Sequence, residues 1–268
     1  MAYFMDKMTV DELKEVIETK RVKTVIIPVG VVEQHGYHLP LSTDIHNATE
    51  VPKRAGERLK AVVAPTIPYC YSGGELTGTV NVSPQVFSLY VMDICGEFVR
   101  MGFENVVVFL GHGGTDNKAA LESCLKTLLR RMPESESAKI TFSLVGCWEL
   151  SPLWMSYFNM TPEHDFHAGL AETSLMMYWH PELVKKENIC TDTPEISRMM
   201  RTDCDWYEVS EKKIDHKFML PRTYQRKEIE VGVMGFPEKA SPEIGGKISN
   251  EMIDGLIEYI EMLNRETG

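Results

Sequence analysis

The stretch Thr24–Asp44, TVIIPVGVVEQHGYHLPLSTD, decides how the rest of the chain is read. It opens as an apolar, β-branched run from Thr24 to Val29, which reads as a buried strand ended by Gly30. Three side chains able to bind metal follow: Glu33, His35 and Asp44. Glu33 and His35 are two apart, so in extended backbone they point the same way. Asp44 joins them once the chain folds back over Gly36 and Pro40. Carboxylates with imidazole suit Zn, Mn or Fe rather than a thiolate-preferring metal. In an open α/β sheet, ligands bind in the crevice beyond the strand ends.

Outward from this strand, the pattern alternates. Thr9 and Glu12 form a capping box ahead of a helix carrying Val10, Leu13 and Ile17. Residues Ile45 to Leu59 read as a helix, with Pro52 a source of a kink or a late start. Ala61–Ile67 is a second short buried strand, and Ser72–Ser83 a glycine-containing loop. Pro84 starts a helix through Met101. Asn105–Leu110 (NVVVFL) is the clearest buried strand; it runs into Gly111-His112-Gly113-Gly114 and a helix from about Asn117 to Arg131. Lys139–Val145 is a further strand. This alternation over residues 20 to 146 predicts a parallel sheet with helices on both faces.

Beyond Cys147, a helix is expected from about Gly169 to Trp179. A last helix opens with Ser241 as N-cap and Pro242 as first residue. Its stripe of Ile244, Ile248, Met252, Leu256, Ile260 and Leu263 has helical period and should dock on the sheet. The four tryptophans, Trp148, Trp154, Trp179 and Trp206, read as core or subunit contacts. Residues 191–230 are mixed and polar, and their pattern assigns no elements. No repeat or linker interrupts the chain, so residues 1–268 are expected to form one domain.

A chain of 268 residues can bury a single core. Its formal net charge of −11 argues against nucleic-acid or anionic-membrane partners. No apolar run reaches the roughly 18 residues that would span a membrane. The N-terminus, MAYFMDKMTVDE, lacks the blocks of a signal peptide. The six cysteines are scattered without a C-x-x-C, which fits reduced thiols in a cytoplasmic protein.

Spacing alone leaves Glu33, His35 and Asp44 open between a metal site and a solvated polar loop. His112 favours the first, because it follows a buried strand and its flanking glycines let the backbone approach a bound group. A phosphate-cradling turn is the competing reading of GHGG, but the Lys of a P-loop and the spacing of G-x-G-x-x-G are both missing. His167 and Glu172, in HAGLAETS, are five apart and would not share a helix face, so they either have separate roles or form an ordinary surface pair. His38, His46, His164, His180 and His216 show no pattern and read as non-ligands. Asp116 is a further second-layer or ligand position.

PVGVVEQHGYHLPLSTD, GTVNVS, VVVFLGHGGTDN, HAGLAETSLMMYWHPELV and GVMGFPEKASPEIGGK resemble successive motifs of the creatininase (creatinine amidohydrolase) family, in the family's order, over residues 28–247. The resemblance implies a three-layer α/β/α sandwich, a binuclear centre of two divalent metal ions and a hexameric homo-oligomer. Carried across motif by motif, it makes Glu33 and His35 ligands, Asp44 the carboxylate shared by both metals, His112 a ligand and His167 the acid or base near the substrate. Two positions depart from creatininase itself. A glutamate ligand two residues after the central histidine is replaced by Gly114, which leaves Glu172 to complete the centre as ligand and part of the catalytic apparatus. A pocket tryptophan four residues before the catalytic histidine is replaced by Glu163, so creatinine is not the expected substrate.

The resemblance therefore implies a metal-dependent hydrolase of a small-molecule substrate. A water held between the metals and acidified toward neutrality would open a small cyclic amide or related carbonyl compound. Glu163 and the polar 191–230 region suit an alternative, a hydroxylated lactone or dicarbonyl cyclitol or sugar derivative. A metal-binding assembly subunit without turnover is a third reading, and nucleotide binding at the glycine turn a fourth.

Overall fold

The computed structural model describes residues 3–266. Among these, one sheet is built from five strands, all parallel: β1 (Tyr3–Phe4), β2 (Thr24–Val29), β3 (Val62–Val63), β4 (Asn105–Leu110) and β5 (Thr141–Gly146), in the spatial order β1-β3-β2-β4-β5. β2 and β4 lie side by side in register from Thr24↔Asn105 to Val29↔Leu110. Every residue of both strands is buried. Side chains alternate across the sheet. Ile26, Val107 and Phe109 enter one core, while Val25, Ile27, Val106, Val108 and Leu110 enter another. A sheet covered on both faces explains why these strands are apolar without interruption.

The helices supply the two covers. In chain order they are α1 (Val10–Lys14), α2 (Thr43–Ala55), α3 (Pro84–Arg100), α4 (Thr115–Arg131), α5 (Glu134–Ser137), α6 (Pro152–Phe158), α7 (Leu170–Trp179), α8 (Pro194–Thr202) and α9 (Pro242–Glu266). Residues of α2, α7 and α9 line one core; residues of α3 and α4 line the other. The result is the expected three-layer α/β/α sandwich. The α9 stripe docks as predicted, with Ile248, Met252, Leu256, Ile260 and Leu263 buried. Ser241 Oγ accepts from Ile244 N at its start. No helix among the described residues is long and apolar enough to cross a membrane.

Some boundaries differ from expectation. The strand predicted over 61–67 shrinks to Val62–Val63, with Ile67 forming an isolated bridge to Val29. Thr9 and Glu12 do form a reciprocal capping box, but α1 stops after Lys14 and widens into a π-turn over Glu15–Thr19. α2 ends at Ala55, three residues after Pro52, where the chain tightens into a 3-10 turn. Residues 191–230, which the sequence pattern left unassigned, form defined elements. They contain α8 and an antiparallel hairpin of β6 (Glu208–Glu211) and β7 (Arg222–Gln225). The Asp192 carboxylate anchors the return of this segment by accepting from Glu230 N, Val231 N and Gly232 N.

The strand order places a switch point between β2 and β4. The chain leaves β2 toward β3 on one side and leaves β4 toward β5 on the other. The carboxyl ends of these two strands therefore open a crevice, the usual ligand position of such sheets.

Candidate metal centre

Five of the residues singled out from sequence meet at this crevice. Glu33 and His35 lie in the loop after β2, Asp44 in the first turn of α2, His112 in the turn after β4, and Glu172 in the first turn of α7. Gly111 lets the end of β4 press against α2, since a Cβ there would fall 2.1 Å from Asp44 O. His35 Nε2 lies 3.4 Å from Asp44 Oδ1 and 3.6 Å from Glu172 Oε2. His112 Nδ1 lies 3.0 Å from Glu33 Oε2 and 3.4 Å from Asp44 Oδ2. Asp44 thus faces two groups, one oxygen toward each: Glu33 with His112, and His35 with Glu172.

This donor set fits cations. Three carboxylates are buried together, and among the described residues they pair only with imidazoles. Glu33 Oε2, His35 Nε2 and Asp44 Oδ2 are shielded from solvent and make no hydrogen bond among those residues. Buried charges in this state need a neutralising partner. Burial works against charge on His35, but Asp44 and Glu172 outweigh it and hold the imidazole well above its usual pKa. Burial likewise opposes charge on His112, where Glu33 and Asp44 prevail in the same direction. For Glu33, burial pushes the carboxyl up, yet His112, His167 and His35 hold it well below the usual range. The field of this site favours positive charge, whether as protons or as metal ions.

A second layer fixes the donors. His35 Nδ1 sits 3.2 Å from Glu33 O, which leaves Nε2 directed at the carboxylates. Ser72 Oγ donates to Glu33 Oε1 at 2.5 Å. Asn47 Nδ2 donates to Glu172 Oε1 at 3.0 Å, and Ala168 N to Glu172 Oε2 at 2.7 Å. Asp165 holds the start of α7: Oδ1 accepts from Leu170 N and Phe236 N, and Oδ2 from Ala171 N. Neither Ser72, Asn47 nor Asp165 was singled out from sequence. Asn47 had a signal, because it follows Asp44 by three residues on a predicted helix. Ser72 acts across a long sequence gap that spacing does not reveal, and Asp165 joins the nearby start of α7 to Phe236, 71 residues on.

His167 precedes α7 rather than lying on it, so the five-residue spacing to Glu172 does not separate the two. Its ring packs against His35 with centroids 4.3 Å apart. Its Nε2 lies 2.9 Å from Gln34 O, which can only accept, and 3.2 Å from Gln34 Nε2; the shorter contact favours the tautomer with the proton on Nε2. Burial, then the neighbouring His35, lowers its pKa, which favours the neutral ring.

A cavity of about 210 Å³ opens over Glu33, Asp44, His112, His167 and Glu172. Leu76, Phe158, Phe166, Ile229 and Met234 give it apolar walls; Gln34, Tyr207 and Gln225 give it polar edges. Tyr207 and Gln225 come from the segment that sequence left without order.

Other expectations need correction. Glu163 does not line this cavity; its Oε2 accepts from Arg201 Nε at 2.6 Å. The argument from Glu163 to a hydroxylated substrate therefore falls away. Asp116 is exposed in the first turn of α4, outside both donor groups. His38 is buried against Thr173 Oγ1, His164 is tied to Phe158 O, and His216 is exposed, all as non-ligands of this centre. His46 and His180, set aside as patternless, instead meet beside Glu50. At Gly114, a Cβ would lie 2.7 Å from His112 Nε2, so a side chain there would have to displace the His112 ring.

A sequence model of the creatininase family (creatinine amidohydrolase) matches residues 6–260. The chain belongs to the creatininase family. It is 28% identical over 181 residues to the creatinine amidohydrolase of Pseudomonas putida, covering 63% of this chain and 69% of that one. It is 27% identical over 252 residues to the mycofactocin precursor peptide peptidase of Mycolicibacterium smegmatis, covering 90% of this chain and 85% of the relative. A solved creatininase in a manganese form superimposes with a TM-score of 0.76 at 21% identity, covering 98% of each chain. The three-layer fold is thus a creatininase fold. Within this family member, the donors stand at the ends of the two central strands and at the starts of two helices.

Proposed function

We propose that the chain is a metal-dependent amidohydrolase that cleaves the C–N bond of a small cyclic amide or a related carbonyl compound. The observation that carries this reading is Asp44, shared by two three-donor groups on the floor of a cavity that also holds His167. Glu33, Asp44 and His112 would hold one divalent ion, and His35, Asp44 and Glu172 the other. Zn, Mn and Fe all accept these donors. Such ions supply a water acidified toward neutrality and polarise a carbonyl.

The chain's own residues do the rest. Asn47, Ser72 and Ala168 N keep the carboxylates aimed at the centre. His167, neutral and held by Gln34 O, takes a proton and passes it to the leaving nitrogen, a role worth about 10²–10⁴ in rate. Gly113, Gly114 and Thr115 border the cavity at the start of α4. The partial positive charge of that helix end favours an oxyanion developing nearby. Phe158, Phe166 and Met234 exclude water from an apolar ring face, and Tyr207 and Gln225 offer hydrogen bonds to its polar edge. Assembly into a homo-oligomer belongs to the same reading, checked by light scattering.

The test is a panel of cyclic amides, N-acyl amines, lactones and cyclic diketones. The expected result is turnover of a cyclic amide that a chelator abolishes and Zn or Mn restores. Turnover confined to lactones or diketones would replace the amidohydrolase reading, and no metal-dependent turnover of any class would favour a non-catalytic role.

A further inference from the structure

α2 carries a second set of donors on its other side. His46 follows Asp44 by two residues, so on a helix advancing about 100° per residue the two side chains leave in nearly opposite directions. His46 and Glu50 are four apart and share a face. His180, just past the end of α7, closes the group: its ring lies 4.4 Å from that of His46, centroid to centroid. One donor atom each from His46, Glu50 and His180 falls within 4.8 Å of the others.

We propose that His46, Glu50 and His180 form a separate site for a borderline divalent cation such as zinc, fastening α2 to the end of α7. Two imidazoles and one carboxylate are a common three-ligand zinc set, with a fourth position left to water. His180 Nε2 is shielded from solvent, has no hydrogen-bond partner among the described residues and lies 3.4 Å from Glu50 Oε1. Its Nδ1 faces Glu182 Oε1 at 3.3 Å. A carboxylate behind a histidine fixes the tautomer that presents the other nitrogen to a metal. Glu50 itself is buried, with 4% of its side chain exposed, whereas Lys53, which reaches its Oε1 at 2.7 Å, is 58% exposed. The ammonium of the exposed Lys53 is the placeholder that a divalent ion displaces, while Arg54 keeps Glu50 Oε2 at 2.9 Å. The structural consequence is direct: α2 carries Asp44 and α7 carries Glu172, so an ion here braces the two helices that define the buried half of the main centre.

The experiment equilibrates the purified protein with zinc, removes free ion and counts zinc per chain. With the main centre filled, the wild type is expected to hold three equivalents and His180→Ala two. If the main centre does not bind metal, the wild type holds one and His180→Ala none, so failure of the proposed function is distinguishable from failure of this site. Equal zinc content in wild type and His180→Ala overturns the proposal. Two further variants read the same site without removing a ligand. Glu182→Gln should weaken the extra equivalent about 10-fold. Lys53→Met should tighten it about 3-fold, because the competing ammonium is gone. A Lys53→Met protein that binds the extra zinc no better or more weakly, judged by chelator competition, contradicts the proposal even if His180→Ala misfolds.

Discussion

The two halves of the main centre share Asp44, and each adds one residue of the loop after β2, Glu33 or His35; they differ in the residue that completes them, His112 or Glu172. Glu33 and His112 stand on loops that leave the ends of β2 and β4, and the His112 side chain keeps 11% of its surface exposed toward the cavity. His35 is fully enclosed, and its partner Glu172 sits in the first turn of α7 with both carboxylate oxygens already held by Asn47 and Ala168 N. His112 is presented from a strand end and Glu172 from a helix start, and both border the cavity. In the proposed reading, the half with His112 is the one that meets substrate and exchanges its ion, and the half with His35 is the one that holds its ion tightly.

The largest effect should come from the residue common to both. Asp44→Ala is expected to empty both halves, seen as loss of two metal equivalents from the main centre with an unchanged far-ultraviolet circular dichroism spectrum. Retention of one would mean the halves are independent. Next, His167→Gln should lower turnover by about 10²–10⁴ with full metal content. Parallel loss of metal would instead make His167 a ligand, a reading its closeness to Glu33 and His35 allows geometrically. The third contrast uses the second layer. Ser72→Ala should weaken metal at the Glu33 and His112 half, and Asn47→Ala at the His35 and Glu172 half, each by about 10–100-fold. Isothermal titration that shows the same step weakened in both variants would erase the distinction between halves. The smallest effect concerns exchange. A chelator should remove one equivalent from the half with His112 faster than the second, and a single rate for both would show that exposure does not separate them.

The same contrast explains what was legible in the sequence. β2 and β4 are buried on both faces, so their apolar runs are continuous and their ends unmistakable. The residues just past those ends, Glu33, His35 and His112, could be picked out one strand at a time. Asp44 could be joined to Glu33 and His35 within one stretch, because the chain folds back over Gly36 and Pro40. Glu172 needed the motif order of the family, because no local pattern ties the start of α7 to a strand far away in sequence. Ser72 and Asn47 were missed because each reaches its partner through the fold: Ser72 and Glu33 are 39 residues apart, and Asn47 and Glu172 are 125 apart. The hairpin of β6 and β7 was unreadable for another reason. Its residues are half-buried or exposed, so hydrophobic periodicity carries little information there, yet it delivers Tyr207 and Gln225 to the cavity. Glu163 shows the reverse error: a residue placed in a pocket by motif position is neutralised by Arg201, 38 residues away.

The central claim is that Asp44 bridges two metal positions of unlike construction. Anomalous scattering at the zinc edge from crystals of the zinc-loaded protein tests it most directly. The account predicts two peaks flanking Asp44, one beside Glu33 and His112 and one beside His35 and Glu172, with only the second lost in Glu172→Gln. A single peak beside Asp44 in the wild type, or two peaks there that both survive in Glu172→Gln, would contradict it.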